Sequence, residues 1–500
     1  MIFYYVNSTD NTINMWNSTR CINLAVRNLN GGPNTADNWN WRPPQNAIID
    51  FGLGIQWSAS LATNISGTPL IDYANGLNGL SLYGINSGVL LMAESILTSA
   101  SFESGWQVEA GYSAADGSQL WITNRTETPY SLVVVGGESS YFFTMGSGVY
   151  VEITQSALSA SGYSLTTGQQ IWGPVTLPNA NPFDSLALCA QVANGTIYIA
   201  GYGGDVYAYN ILTGALKWHY HTPSGGFESP YGVEPLWVAF GDITVADGKL
   251  FAAEGHEYGP PLFHGAQQLA LNITDGSLVW SIDSYDVTTA PAVSDGVMTT
   301  LNSYDNQIYA YGMGPTKTTV TAPSVGVTTA SPVTITGTVT DISAGSQQES
   351  VAANFPNGLP CVSDASMSQF MEAVYMQQTM PTNITGVPVT LSVVDSNGNY
   401  RSIGVTTADP ATGTFAFNWK PDITGNYTVI ANFAGSQSYY SSTAKSYFYA
   451  NAAAPTQAPT ATPLTGLASN TTLIYGLVAI IIVIIIIGAA IMLMLNRRRP

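Results

Sequence analysis

All four histidines of this 500-residue chain fall in one stretch, at His219, His221, His256 and His264. Two segments hold them. HYHTPSGGFESPYGVEPLW carries Phe227, Tyr231 and Trp237 behind the first pair, and EGHEYGPPLFHG sets Glu254 and Glu257 around His256, with His264 further on. Imidazoles and carboxylates hold zinc and similar divalent ions when two or three of them converge. Glu254, His256, Glu257 and His264 are therefore the candidate metal ligands. Phe227, Tyr231 and Trp237 are the candidate surface on which a sugar or peptide would stack. Gly255, Gly259, Pro260 and Pro261 leave the path of the second segment open. Ordinary loop residues with no ligand are the competing account.

Other chemistry finds no support. Cys21, Cys189 and Cys361 are isolated, so there is no CxxC, no vicinal pair and no disulfide framework. His256-Glu257 has Pro260 where an HExxH motif needs its second histidine. DSNGNY begins like a calcium loop, but Gly398 and Tyr400 stand at the wrong positions for one, and a hairpin turn accounts for it better. Acidic residues number 31 against 13 basic ones, for a net charge of −18, and three of the basic residues are the terminal Arg497, Arg498 and Arg499. A surface that acidic repels nucleic acid and anionic lipid. No catalytic residue and no bound cofactor is expected, apart from the divalent cation just described.

The elements that would carry these loops form a repeat. AADGSQLW ends at Trp121, LTTGQQIW at Trp172, ILTGALKW at Trp218 and ITDGSLVW at Trp280, at spacings of 51, 46 and 62 residues. Degenerate copies end at Trp57 and Trp16. A second register interleaves as VANGTIY, VADGKLF and VSDGVMT, and alternating strands such as VYAYN and QLALN precede the turns. Short strands, a turn and a tryptophan at a period near 50 are the pattern of a β-propeller. On that reading Trp57, Trp121, Trp172, Trp218 and Trp280 are structural, each packing between neighbouring blades. The histidine loops belong to the longest of the four clear repeats and stand out on one face.

Those repeats resemble the pyrroloquinoline-quinone-like (PQQ-like) β-propeller family over residues 1–314. The resemblance implies a ring of seven or eight blades, of which about six are visible. It does not imply quinone chemistry, because the vicinal cysteines of the quinone enzymes are missing and their cofactor-binding residues match no positions here. PQQ is not an expected cofactor. Residues 318–450 follow with PVTITGTVTD, VPVTLSVVD, GTFAFNWKP and GNYTVIANF, alternating strands that suit a sandwich. This segment resembles the immunoglobulin-like modules of archaeal surface proteins. A helical insertion is expected at 363–379, with Met367, Phe370, Met371, Val374 and Tyr375 on one face, Ser363 as its N-cap and the sandwich beneath it.

A Pro/Thr-rich stalk occupies 451–471, too polar and proline-rich to pack. Residues 473–495 then run 23 positions without a charge, enough for a helix to cross a bilayer. The basic tail 496–500 places the C-terminus in the cytoplasm and the bulk of the chain outside. Nine Asn-x-Ser/Thr sequons fit a glycoprotein in that location. The opening, MIFYYVNSTDNTINMW, reads as strand, turn and strand instead of an export signal, so further sequence upstream is expected. The expected protein is all-β. It is a single-pass membrane protein displaying a propeller for adhesion, or for binding surface polysaccharide or protein. The alternative is an exported quinone-dependent oxidoreductase or other propeller enzyme.

Overall fold

The computed structural model describes residues 1–30, 50–75, 77–97, 105–125, 141–154, 157–179, 188–201, 203–222, 243–253, 266–284, 291–323, 325–454 and 470–497. Among the described residues, six antiparallel sheets of three or four strands follow one another along the first three fifths of the chain. The first has strands Ile2–Asn7, Thr12–Asn17 and Ile55–Ser60. The second to fifth have four strands each, beginning at Ser81, Tyr141, Leu188 and Thr244, and the sixth has Ala292–Ser294, Val297–Asn302 and Gln307–Tyr311. In the second to fifth sheets the strands lie side by side in chain order, the simplest result of successive hairpins.

Successive sheets meet face to face, and each junction between them has its own small core. Leu90, Met92, Val108 and Ala110 pack toward the first sheet, while Leu91 meets Tyr150 and Tyr163 of the third. Val149, Val151 and Ile153 face Ile197, Ile199 and Tyr207. Tyr198 and Val206 face Leu250 and Ala252, and Phe251 faces Met298. The starting strands of successive sheets also lie against one another. Radial blades of a propeller meet in this way.

The tryptophans hold the junctions together. Gly117, Gly168, Gly214 and Gly276 are the turn glycines, with φ between +66° and +75°. A methyl placed on them would come within 2.6, 2.5, 2.5 and 2.6 Å of the indoles of Trp57, Trp121, Trp172 and Trp218, which belong to the preceding sheets. Glycine is required here twice over, for the left-handed backbone and for the close approach. The indole N–H groups of Trp121, Trp172 and Trp218 donate to the carbonyls of Leu165, Ile211 and Ile273 at 2.7, 2.8 and 2.9 Å. Trp280 stacks on Tyr311 of the sixth sheet at 6.4 Å.

Two expectations for this region need correction. Trp16 does not close a repeat of its own, because Met15 pairs with Trp57 and both tryptophans belong to the first sheet. Residues 18–30 form a helix where only strands were expected, and Asn17 starts it by accepting from the amides of Thr19 and Arg20.

From Thr316 onward, two further sheets face each other. One contains Thr316–Thr321, Val333–Asp341, Leu359–Pro360 and Thr414–Trp419; the other contains Pro388–Val394, Tyr400–Thr407, Gly425–Phe433 and Ser442–Ala450. Ile335, Val339, Leu391, Phe415, Tyr427 and Val429 fill the space between them. DSNGNY is the hairpin turn: Asp395 accepts from the amides of Asn397 and Asn399 at 2.9 and 3.0 Å.

The insertion contains the helix Met367–Tyr375, with Phe370 buried against Leu359, Val362 and Ile384. Ser363 precedes it but makes no side-chain cap. A 3₁₀ turn at Asp364–Ser366 intervenes, and the Ser363 hydroxyl pairs with Thr385 at 2.7 Å instead. Nor does the helix serve the sandwich alone, because it also lies against strand Leu278–Asp283 of the fifth sheet. The stalk falls mostly outside the described residues. Beyond it, the helix Asn470–Asn496 is long and apolar enough to cross a membrane, and none of the other described residues covers it.

Candidate functional site

The topology of the second to fifth sheets separates their two ends. Tight hairpins between strands one and two, such as Asn194-Gly195, and the tryptophan turns between strands three and four share one end. Strands two and three, and each fourth strand and the next sheet, are joined from the other end. The residues singled out above for ligand binding all belong to connections of the second kind. Phe227, Tyr231, Trp237, Glu254, His256, Glu257 and His264 lie outside the described residues.

The first two histidines are described, and they converge on a group that sequence reasoning missed. Asp205 opens the third strand of the fourth sheet and is completely buried. Its Oδ1 accepts from His219 Nε2 at 2.6 Å and from His221 Nδ1 at 2.8 Å. The pairing of Asp205 with His221 across adjacent strands places both rings, since residues two apart on one strand share a face. Tyr207 stacks on the His219 ring at 4.8 Å, in nearly parallel planes. Asp205 Oδ2 is buried with no hydrogen-bond partner among the described residues. The carboxylate fixes the tautomer of both rings. It leaves Nε2 of His221, whose side chain is 53% exposed, at the connector end of the sheet. An oriented imidazole of this kind transfers protons or binds a soft ion. Among the described residues, however, no three His, Cys, Asp or Glu side chains are placed to hold a metal. A clue was present in DVYAYN, where an aspartate begins a strand otherwise given to tyrosine, valine and alanine.

A second polar cluster joins the second and third sheets. Glu109 is fully buried and accepts from Arg125 Nε at 3.0 Å, Tyr150 Oη at 2.5 Å and Gln107 Nε2 at 2.9 Å. Arg125 also donates to the Gly168 carbonyl at 2.8 Å and lies over the Tyr163 ring. Glu152 is buried beside this network. Burial, then the charge of Glu109, pushes its carboxyl up to about 8, which favours the protonated form. The cluster satisfies buried charge at a junction between sheets.

The grooves lie elsewhere. One of about 650 Å³ crosses the sandwich, lined by Thr319, Thr336, Thr338, Thr406, Thr414 and Asp409 among others; a smaller one of about 280 Å³ lies beside Glu372 and Asn383. Neither includes a histidine. Cys21 and Cys361 are buried, and none of the three cysteines forms a disulfide.

The sandwich and the sixth sheet are fastened together. Asn302 Nδ2 donates to the Tyr375 hydroxyl at 2.9 Å, Tyr375 meets the Tyr309 ring edge-on, and Gln348 donates to Gln307 at 2.9 Å. At the connection itself, Gly314 exchanges backbone hydrogen bonds with Ser438 and Tyr440 at 2.8 and 2.9 Å.

Residues 160–258 match the PQQ-repeat family described as outer membrane protein assembly factor BamB. No curated protein matches the chain. Among solved structures, BamB from Moraxella catarrhalis is 14% identical, with 59% of this chain and 78% of that one covered at a TM-score of 0.30. The computationally designed Ika4 protein is 13% identical, with coverage of 37% and 100% and a TM-score of 0.26. Hsv2p of Kluyveromyces lactis is 7% identical, with coverage of 62% and 74% and a TM-score of 0.31. Likeness at that level says nothing about activity or ligand. The sequence match places one PQQ-type repeat region, centred on the fourth sheet, in the part of the chain that holds Asp205, His219 and His221.

Proposed function

We propose that this protein is a single-pass membrane scaffold, which holds a PQQ-like propeller outside the cell to bind a protein or polysaccharide of the surface. The observation that carries this reading is the division of the sheets into two ends. Tight turns and tryptophan junctions close one end, and every variable connector leaves from the other. Loops on a rigid frame are where binding proteins keep their contacts. In this reading the six sheets are blades, the sandwich is an Ig-like spacer, and residues 451–471 are an extended stalk. The helix Asn470–Asn496 is the anchor, with Arg497 and the arginines after it in the cytoplasm. His221 belongs to the binding face. Phe227, Tyr231 and Trp237 supply its stacking surface, and Glu254, His256, Glu257 and His264 its divalent-cation site. The BamB family description names an assembly factor, which suits a protein partner.

Surface cross-linking on intact cells, followed by purification of the full chain, tests the proposal. Capture of a defined surface protein or polysaccharide, reduced at least tenfold by combining His221→Ala with Trp237→Ala, is the expected result. Equal capture by the double variant would remove the binding face from the account.

A further inference from the structure

The nine sequons differ sharply in what the fold does with them. An N-glycan joins the asparagine amide nitrogen, and the hydroxyl two residues later is the other half of the acceptor, so a usable sequon leaves both reachable. Asn7 fails that requirement: its Nδ2 donates to Asp10 at 2.9 Å and its Oδ1 accepts from Thr9. Asn17 donates to Gln56 at 3.0 Å while capping the helix that follows. Asn272 is half-buried and accepts from the Thr274 amide, the same role Asn210 plays toward Leu212 one repeat earlier. Its sequon is a by-product of the turn.

Three others fail at the hydroxyl. Thr196, which completes the Asn194 sequon, is buried and held by Lys217 Nζ at 2.5 Å. Thr385, which completes Asn383, is bonded to Ser363 at 2.7 Å. Asn470 and Thr472 stand in the first turn of the apolar helix, where residues two apart point about 200° away from each other. Asn124 is exposed, but Thr126 lies outside the described residues.

Two sequons meet both conditions. Asn64 and Ser66 are exposed on the hairpin formed by Asn64–Ile65 and Thr68–Pro69; neither side chain is hydrogen-bonded among the described residues, and a Cβ on the adjoining Gly67 would meet nothing within 4 Å. Asn426 is exposed on strand Gly425–Phe433, and Thr428 projects from the same face because side chains alternate along a strand. Tyr427 between them is buried in the sandwich and holds the segment in place. Asn426 lies opposite Tyr449, whose exposed ring offers the first sugar an apolar face.

We propose that Asn64 and Asn426 carry N-linked glycans, one on the propeller and one on the sandwich. The donor is a lipid-linked oligosaccharide pyrophosphate. The bond from the anomeric carbon to the pyrophosphate oxygen breaks, the asparagine Nδ2–C1 bond forms, and the amide gives up one proton. The inference rests on the exterior placement of these modules proposed above.

Glycopeptide mass spectrometry of the full chain from its native membranes, run beside surface biotinylation of the same cells, tests the proposal. Sugar adducts on the Asn64 and Asn426 peptides, with bare Asn7, Asn17, Asn194 and Asn272, are expected. Ser66→Ala and Asn426→Gln should each lower the intact mass by one glycan while leaving the protein folded and biotinylated. Biotinylated protein with both asparagines bare would overturn the site assignment and leave the topology standing. Bare asparagines in protein that biotin does not reach would overturn the exterior placement, and the glycans with it.

Discussion

Trp57 and Trp172 occupy the same place in two copies of one repeat, yet their indole nitrogens are treated differently. Trp172 donates to the Ile211 carbonyl. The equivalent carbonyl for Trp57 is that of Ala114, and the Tyr4 hydroxyl takes it at 3.1 Å, leaving Trp57 Nε1 buried without a partner. Removing one member of a buried hydrogen bond costs about 1–3 kcal/mol, whereas removing a buried donor that has no partner costs nothing on that count. Trp172→Phe should therefore destabilise the protein by about 1–2 kcal/mol more than Trp57→Phe in urea unfolding. Glu152 gives a second test at this scale. Burial and the charge of Glu109 push its carboxyl up to about 8 from an ordinary value of 4.5. The folded state thus binds the extra proton, and stability is fully present below about pH 4.5 and lost as pH rises toward 8. Glu152→Gln removes that loss. Wild type should weaken relative to the variant by up to ~1.4 kcal/mol per pH unit within this window. Parallel stability curves for the two proteins would show that Glu152 is charged and paired.

At the scale of elements, the strands and turns were legible because the repeat states them several times. Four Asp/Thr-Gly turns followed by tryptophan, and three hairpins of the VANGT type, announce the sheets and the tryptophan packing. The first sheet was harder to read, because the helix and connection at residues 18–54 separate its second strand from Trp57. One sheet therefore looked like two repeats. The helix Ser18–Asn30 was missed because its main signal is the capping Asn17, in a chain where asparagine is common. The insertion helix was found from its apolar face, but its second contact was not. Tyr375 meets Asn302 and Tyr309 across about seventy residues of sequence, and no local pattern encodes such a pairing. The Asp205 cluster was half legible: the histidines stood out, whereas the carboxylate that orients them sits in the preceding strand. If the helix joins the two modules as described, Tyr375→Ala should loosen the joint without unfolding either side. Limited proteolysis should then cut near Gly312–Pro315 several-fold faster, with the sandwich core still protected. An unchanged cleavage rate would mean that the Gly314 backbone pairing holds the modules together alone.

The whole molecule is a succession of modules with different physical tasks. Six sheets bury tryptophan at their junctions, a sandwich closes over its own core and fastens to the last sheets, and an apolar helix ends the chain. The chain carries 31 acidic against 13 basic residues, and three of the basic ones are the terminal arginines beyond the helix, a balance that disfavours contact with anionic lipid. Basic residues at the far end of the helix favour the cytoplasmic side. The proposed function requires the propeller to lie outside the membrane, and protease added to intact cells reads that directly. Digestion should remove everything before the stalk and leave a small membrane-bound stub that begins near the stalk and contains the helix Asn470–Asn496. Survival of the full-length chain in intact cells, with digestion only after lysis, would place the propeller inside and contradict the proposed function.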